Sequence, residues 1–422
     1  MVLAAGKGTR MKSEYAKVLH PVAGTPMLEH VLTALKQVKI RPVAVVVGHR
    51  ADDIKRSLTK AVQYVAQSPQ RGTAHAVRCG LSFLRGKKGN VVVLAGDVPL
   101  VSATTLKRLL RQHQQAHAAA TVLTMQLKDP TGYGRILKGP DQRVYGIREE
   151  LDASPNQRLI REVNTGIYVF HVGLLVKFVQ QVKAKNKKKE FYLTDVIEKL
   201  VAADHGVIAC RMKDPREAYG INSRWDLAKV ERYMQEKIQS YHAKQGVTIT
   251  QPGATYIADK VKIGKDTVIH PFTFIEGDVQ IGKKCFIGPF CRLRKGTRIS
   301  DGATIGSFVE VVRSKIGKKT MIKHLSYVGD AQVGNQVNIG AGFITANYDG
   351  KKKHKTKIGD KAFVGVHTSV VAPASLGRNS KTGAGTVILK NRKVPDNALV
   401  VGAPAMLKSK STKRARRKKE KK

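Results

Sequence analysis

Ile257-Ala258-Asp259-Lys260-Val261-Lys262-Ile263-Gly264-Lys265-Asp266-Thr267-Val268-Ile269 opens a run in which an aliphatic residue returns at every sixth position. The series continues through Ile275, Ile281, Ile287, Leu293, Ile299, Ile305 and Val311, making ten consecutive members. A helix repeats near 3.6 residues and a strand face near 2, so neither accounts for a period of six. A parallel β-helix with three flat faces does, each hexad supplying one short strand and one corner. The aliphatic residue points inward. The glycine after it, at Gly264, Gly282, Gly288 and Gly306, relieves crowding beside the turn. The chain returns above itself after every third hexad, so Ile263, Ile281 and Ile299 are expected in one interior column.

The register slips by one residue at Ile316, resumes through Ile322 and Val328, slips again at Val333 and reaches Ile339. Tyr348-Asp349-Gly350-Lys351-Lys352-Lys353-His354 then leaves the pattern before Ile358 and Val364 restore it. Loops that leave a regular solenoid are where function collects. Upstream, Leu227, Val230, Met234, Ile238 and Tyr241 fall three and four apart, one face of a helix between Trp225 and Tyr241 that links two domains. From the N-terminus to Gly220 the chain alternates aliphatic runs with amphipathic stretches, the pattern of a Rossmann-like α/β domain with a mostly parallel sheet. Val2–Ala5, Val43–Val47, Val91–Ala95, Thr121–Met125 and Ile167–Phe170 read as strands, Met27–Val38 and Thr104–His117 as helices.

The apolar runs are far shorter than the roughly 20 residues of a membrane span. Nothing at the N-terminus resembles a signal peptide, so a cytoplasmic protein with no membrane span is expected. Cys79, Cys210, Cys285 and Cys291 form no CxxC pair, which argues for reduced thiols over a metal or disulfide framework. The charge is extreme: 76 basic against 31 acidic residues, net +45. That excess suits polyanions such as nucleotides, sugar phosphates, coenzyme A or nucleic acid, or it reflects solvated lysine-rich faces. Residues 408–422 hold ten basic residues and one acid, the composition of a disordered tail.

Leu3-Ala4-Ala5-Gly6-Lys7-Gly8-Thr9-Arg10-Met11 follows the first strand directly. Its glycines let backbone N–H groups close on phosphate oxygens, with Lys7 and Arg10 supplying charge. It is neither a Walker A loop nor the dinucleotide GxGxxG. Val91–Ala95 runs into Gly96-Asp97-Val98-Pro99, so Asp97 lies just beyond a strand end, where open parallel sheets bind ligands. Read alone, Asp97 is either a Mg²⁺ ligand beside phosphates or a helix N-cap.

The glycine loop with Lys17-Val18-Leu19-His20, Arg71-Gly72-Thr73-Ala74-His75, Gly96-Asp97-Val98-Pro99, Pro130-Thr131-Gly132-Tyr133-Gly134-Arg135, Asn164-Thr165-Gly166 and Tyr192-Leu193-Thr194-Asp195 resembles the bifunctional N-acetylglucosamine-1-phosphate uridylyltransferase/glucosamine-1-phosphate acetyltransferase family. The resemblance implies a nucleotidyltransferase domain over 1–222, a helical linker over 223–246, a left-handed β-helix acetyltransferase domain over 247–407 and the basic tail. It implies that Leu3, Ala4, Ala5, Gly6, Lys17, Gln67, Gly72, Thr73, Gly96 and Asp97 meet UTP or UDP-sugar, with Gly134, Glu149 and Asn164 on the N-acetylglucosamine part. Arg10 and Lys17 would neutralise phosphate charge as the reaction proceeds, and Asp97 and Asn222 would hold Mg²⁺. Ala16 and Ala95 depart from the family's usual proline and tyrosine, and the first strand is short.

His324-Leu325-Ser326-Tyr327-Val328-Gly329-Asp330, Asn338-Ile339-Gly340-Ala341-Gly342 and Ala346-Asn347-Tyr348-Asp349-Gly350 resemble the acetyltransferase half of the same family. A lone histidine near a coil corner is more often structural; the resemblance makes His324 the base that frees the attacking amine. It places Arg294, Tyr327 and Asn338 on the sugar phosphate, Asn347 and Tyr348 on sugar phosphate and acetyl-CoA, and Ala341 and Ala384 on acetyl-CoA. It also implies a homotrimer with sites between subunits. Val312, Val366 and Ala403 stand where the family has polar contacts, each worth about 1–3 kcal/mol, and Lys295 replaces a proline. Lys315, Arg313, Lys352 or the tail are candidate substitutes. Three functions follow as expectations: synthesis of UDP-N-acetylglucosamine for the cell envelope, from glucosamine 1-phosphate, N-acetylglucosamine 1-phosphate, UTP and acetyl-CoA; uridylyl transfer alone, with the β-helix as trimer scaffold; or nucleic-acid or anionic-surface binding through the tail.

Overall fold

The computed structural model describes residues 1–58 and 62–407. The basic segment 408–422 lies outside the described residues. The chain forms two compact units that divide at Tyr233 and Met234, inside a helix over Arg224–Lys244. Val230 and Met234 are buried on that helix as their spacing predicts, but Tyr241 is 61% exposed. Gln239 and His242 take the buried side there instead. Their neighbour Gln235 exchanges two hydrogen bonds with the backbone of Ile257, and Gln239 donates to the carbonyls of Thr255 and Pro252. The helix's second half thus covers the open edge of the first coil, which a glutamine does better than a tyrosine.

The first unit is built on β1 (Val2–Ala4), β2 (Ala44–Val47), β3 (Gln63–Ala66), β4 (Asn90–Ala95), β5 (Ala120–Gln126), β6 (Arg135–Lys138), β7 (Val144–Arg148), β8 (Glu162–His171) and β9 (Val207–Arg211). The sheet order is β9-β5-β8-β4-β1-β2-β3, with the β6–β7 hairpin attached to β8. Along that order only β8 runs against its neighbours. β1, β2 and β4 are buried on both faces between two apolar layers, so they read as unbroken aliphatic runs. Helices Met27–Gln37 and Ala103–Gln115 fall where their periodicity places them. Because β1 and β4 are adjacent and parallel, with Leu3 opposite Ala95, the loops that follow them leave the same edge of the sheet. β8 enters at that edge, so Asn164 rises beside them.

The second unit is the β-helix. Its strands stack into three sheets, one per face, and Ile263, Ile281 and Ile299 pair in succession on the third face. A Cβ on Gly264 would sit 2.7 Å from the Gly282 backbone of the next coil, so the glycines beside the corners admit the stacking. Corners turn through left-handed residues six apart, including Lys260, Asp266, Phe272, Asp278, Lys284 and Phe290. That conformation costs an L-residue about 1–2 kcal/mol. Phe272, Phe290 and Phe308 offset it by stacking in one column, with ring centroids 4.8 and 5.2 Å apart.

The register slips have one location. Ile299 pairs with Ile316 and Ile316 with Val333, each step falling short of three full hexads, because the corner between the second and third faces loses a residue in two successive coils. In the next coil Val333 pairs with Ile358, and this step is longer than three hexads. The surplus equals the length of the Tyr348–His354 excursion, which leaves from that same corner.

Candidate functional site

A cavity of about 550 Å³ opens at the edge where β1 and β4 end. Leu3, Ala4, Ala5, Gly6, Lys17, Gln67, Gly72, Thr73, Asp97, Glu149 and Asn164, all expected at a nucleotide site, line it. The amides of Gly6, Lys7 and Gly8 make no hydrogen bond to other backbone among the described residues, as a phosphate cradle requires. Gly8 is left-handed, and a Cβ there would meet the Lys17 Cβ at 2.8 Å. The loop therefore fixes where the Lys17 side chain starts.

Its ammonium ends on an ion pair with Asp97 Oδ2 and 3.2 Å from Asn222 Oδ1. Asn222 does not line the cavity, but the Ile221 amide donates to the Asp97 carbonyl at 3.1 Å and holds the segment there. The N-cap alternative for Asp97 does not hold, since Ser102 caps Ala103–Gln115 by accepting from the Thr105 amide.

At one end of the cavity Gln67 is buried, and its Nε2 is committed to the Gly72 carbonyl and His75 Nδ1, at 3.0 and 3.1 Å. Its Oε1 is the end left for a ligand. At the other end Asn164 Oδ1 accepts from the Gly166 amide while its Nδ2 donates to Tyr168 Oη at 2.7 Å. Thr194 donates to Glu149 Oε1 at 3.2 Å, and burial pushes the Glu149 carboxyl up. Gly134 sits behind both, its carbonyl accepting from the Asn164 amide. Sequence reasoning missed Tyr168, Thr194, Glu190 and Gln70 in this lining. Arg10 is exposed on a short turn outside the lining, and the Gly96 amide is spent on the Leu3 carbonyl.

On the β-helix the expected acetyltransferase residues fall in two groups. His324, Ala341 and Ala384 lie at the corner between the first and second faces, with Asn338 on the first face. Arg294, Asn347 and Tyr348 lie at the corner between the second and third faces, with Tyr327 on the second. Arg294 is held by Glu310 at 2.8 Å and Glu276 at 3.7 Å. The excursion is tied to its corner: Asn347 Nδ2 donates to Asp330 Oδ2 at 2.5 Å, and Asp349 accepts from the Lys351 and Lys352 amides and His354 Nε2. These donors hold the Asp349 carboxyl well below the usual carboxylate range.

Residues 1–163 match the model of the MobA-like NTP transferase domain, and residues 355–390 that of the hexapeptide repeat of succinyl-transferase. The curated "Bifunctional protein GlmU" of Brevibacillus brevis is 43% identical, covering 95% of this chain and 94% of its own. Those of Geobacillus thermodenitrificans and Bacillus subtilis strain 168 are 41% and 40% identical, over 95% of this chain and 94% and 95% of theirs. The chain belongs to the bifunctional GlmU family. It is a nucleotidyltransferase with acetyltransferase activity that makes UDP-N-acetylglucosamine, on an α/β domain followed by a left-handed β-helix. Among solved structures, an apo UDP-glucose pyrophosphorylase aligns with 56% of this GlmU-family chain and 100% of its own, at TM-score 0.48 and 18% identity. Val312, where GlmU enzymes are expected to carry a lysine, is buried, so no charge is offered there. Arg313 is engaged with Asp330 by two contacts of 2.7 Å, and Lys315 belongs to the third face. Among the described residues no helix is long and apolar enough to cross a membrane.

Proposed function

We propose that the cavity of the first unit carries the uridylyl transfer and that the corners of the β-helix carry the acetyl transfer, in a cytoplasmic homotrimer supplied with UTP and acetyl-CoA. The observation that carries the first assignment is the meeting of Asp97 and Asn222, remote in sequence, on one Lys17 ammonium beside the glycine loop, whose Gly6, Lys7 and Gly8 amides have no backbone partner among the described residues. Gln67 Oε1 suits the imide N–H of uracil. Asn164 and Glu149 suit the amide and hydroxyls of the sugar. The phosphate oxygen of N-acetylglucosamine 1-phosphate attacks the α-phosphorus of UTP and pyrophosphate departs, with no covalent enzyme intermediate. Nucleophile and target are both anionic, so Lys7 and Lys17, which line the cavity, act by screening their repulsion, whereas Arg10 stands outside that lining.

Asp97 and Asn222 offer two hard oxygens, and among the described residues no cluster of three or more His, Cys, Asp or Glu could hold a metal. That partial set fits Mg²⁺, which takes one or two protein oxygens and fills its octahedron with water and substrate phosphates. Bound there, the ion would neutralise phosphate charge and act as a Lewis acid.

For acetyl transfer, the amine of glucosamine 1-phosphate attacks the thioester carbonyl, His324 takes the amine's proton, and the coenzyme A thiolate leaves. His324 and Arg294 lie at opposite ends of the second face, so one copy's first corner facing another's second corner would complete the site. Exposed apolar residues support such packing: Phe286 and Phe363 on the first face, Phe274 and Ile344 on the second, and Phe272, Phe290 and Phe308 between them. The third face carries Lys262, Arg298, Lys315, Lys357 and Lys393 instead. The test follows the two half-reactions separately. Asp97→Ala is expected to lose pyrophosphate release and keep thiol release, and His324→Ala the reverse. Either variant losing both or neither would overturn the assignment.

A further inference from the structure

Lys17 serves two oxygens at once. Its ammonium pairs with Asp97 Oδ2 and approaches Asn222 Oδ1 at 3.2 Å, and these are the side chains assigned above to Mg²⁺. The Lys17 and Asp97 side chains are only 14% and 16% exposed, so water screens the pair weakly. A divalent ion bonds oxygen at about 2.0–2.1 Å. With the ammonium still on Asp97 Oδ2, an ion on the same carboxylate would stand within a few ångströms of a second positive charge, and that repulsion weakens its binding.

The rest of the side chain indicates where the ammonium would go. The Lys17 Cβ is fixed against Gly8, in the glycine loop, and Lys17 lines the cavity together with Gly6 and Lys7. A flexible four-carbon stem swings its charge about that fixed root, between the carboxylate and a phosphate lying on the loop.

We propose that Lys17 is an exchangeable internal cation. In the nucleotide-free protein it fills the place between Asp97 and Asn222; a triphosphate on the glycine loop draws it off and the divalent ion takes its place. Metal and nucleotide then bind cooperatively, each raising the other's affinity by the same factor. The device also keeps the Asp97 carboxylate, low in exposure, from standing unpaired when no substrate is bound. This inference rests on the metal role proposed for Asp97 and Asn222.

The test uses Mn²⁺ as probe, with the full chain and no nucleotide, reading free Mn²⁺ by electron paramagnetic resonance. Lys17→Met is expected to bind Mn²⁺ at least ten times more tightly than the wild type, and Lys17→Arg, which keeps the charge, to show no gain. Adding Asp97→Ala to Lys17→Met is expected to remove the gain. If Lys17→Met does not fold, Lys17→Gln carries the same expectation. Mn²⁺ binding that weakens with Asp97→Ala but does not strengthen when Lys17 loses its charge overturns the exchange and leaves the metal site standing. Mn²⁺ binding indifferent to Asp97→Ala in every background overturns the metal site itself.

Discussion

Tyr168→Phe isolates one hydrogen bond at the sugar end of the cavity. Tyr168 is 3% exposed, and its ring stacks on Phe170 at 5.4 Å, so phenylalanine keeps the packing and only the hydroxyl is lost. That hydroxyl accepts from Asn164 Nδ2 at 2.7 Å, while the Gly166 amide fixes the other end of the same amide group. Without Tyr168 Oη, the Asn164 side chain is held at one end only. The loss of one neutral hydrogen bond to a half-buried group costs about 1–1.4 kcal/mol, or roughly five- to tenfold in affinity. If Asn164 orients the sugar, the cost falls on the Michaelis constant for N-acetylglucosamine 1-phosphate. The value for UTP stays within about twofold and the melting temperature within a degree or two. Steady-state kinetics of pyrophosphate release, with each substrate varied in turn, reads both. An equal rise in the two constants, or no rise for the sugar phosphate, refutes the positioning role.

Gly8→Ala places a Cβ in a left-handed position against the root of Lys17, so uridylyl transfer should fall at least tenfold while thiol release is retained; near-normal pyrophosphate release would contradict it. Asp195 gives a pH prediction. Burial first, then the Glu198 and Glu149 carboxylates, push its carboxyl up to about 6 from 3.8. A folded value above the unfolded one means that folding favours the protonated acid, so this contribution is present near pH 4 and is lost as pH rises through 6. The shift corresponds to about 3 kcal/mol without screening, and partial exposure reduces it to about 1–1.5 kcal/mol. Asp195→Asn should therefore stabilise the protein at pH 7.5 and not at pH 4.5 in urea titrations; equal effects at both would contradict the origin of the shift. Phe290→Asp puts a charge into the middle of the exposed phenylalanine column and should shift a trimer toward monomer in sedimentation equilibrium, whereas unchanged mass would remove that column from the interface.

The β-helix was legible because its period is written in residues that must point inward: Ile263, Ile281 and Ile299 stack as their spacing requires. Even the slips at Ile316 and Val333 were visible, although their cause, one shortened corner, needed the pairing register. The central strands of the first unit were legible as aliphatic runs because both of their faces are buried. The cavity was only partly so. Asp97 could be placed at a strand tip, but nothing in its neighbourhood announced Asn222 except the family resemblance. Tyr168 sits inside an apolar run and reads as core. Its hydroxyl reaches Asn164 across an irregularity in β8 between the two residues, where Gly166 turns left-handed, and no local pattern encodes that contact. Tyr241 was misplaced because periodicity cannot tell an apolar neighbour from a coil edge of bare carbonyls, which selects glutamine.

The most direct measurement is a crystal structure of the full chain grown with UTP and Mg²⁺. Density for a divalent ion touching both Asp97 and Asn222, with the Lys17 ammonium moved onto a phosphate oxygen, is the predicted result. An ion bound elsewhere in the first unit, or UTP in place with Lys17 still joined to Asp97, would contradict it.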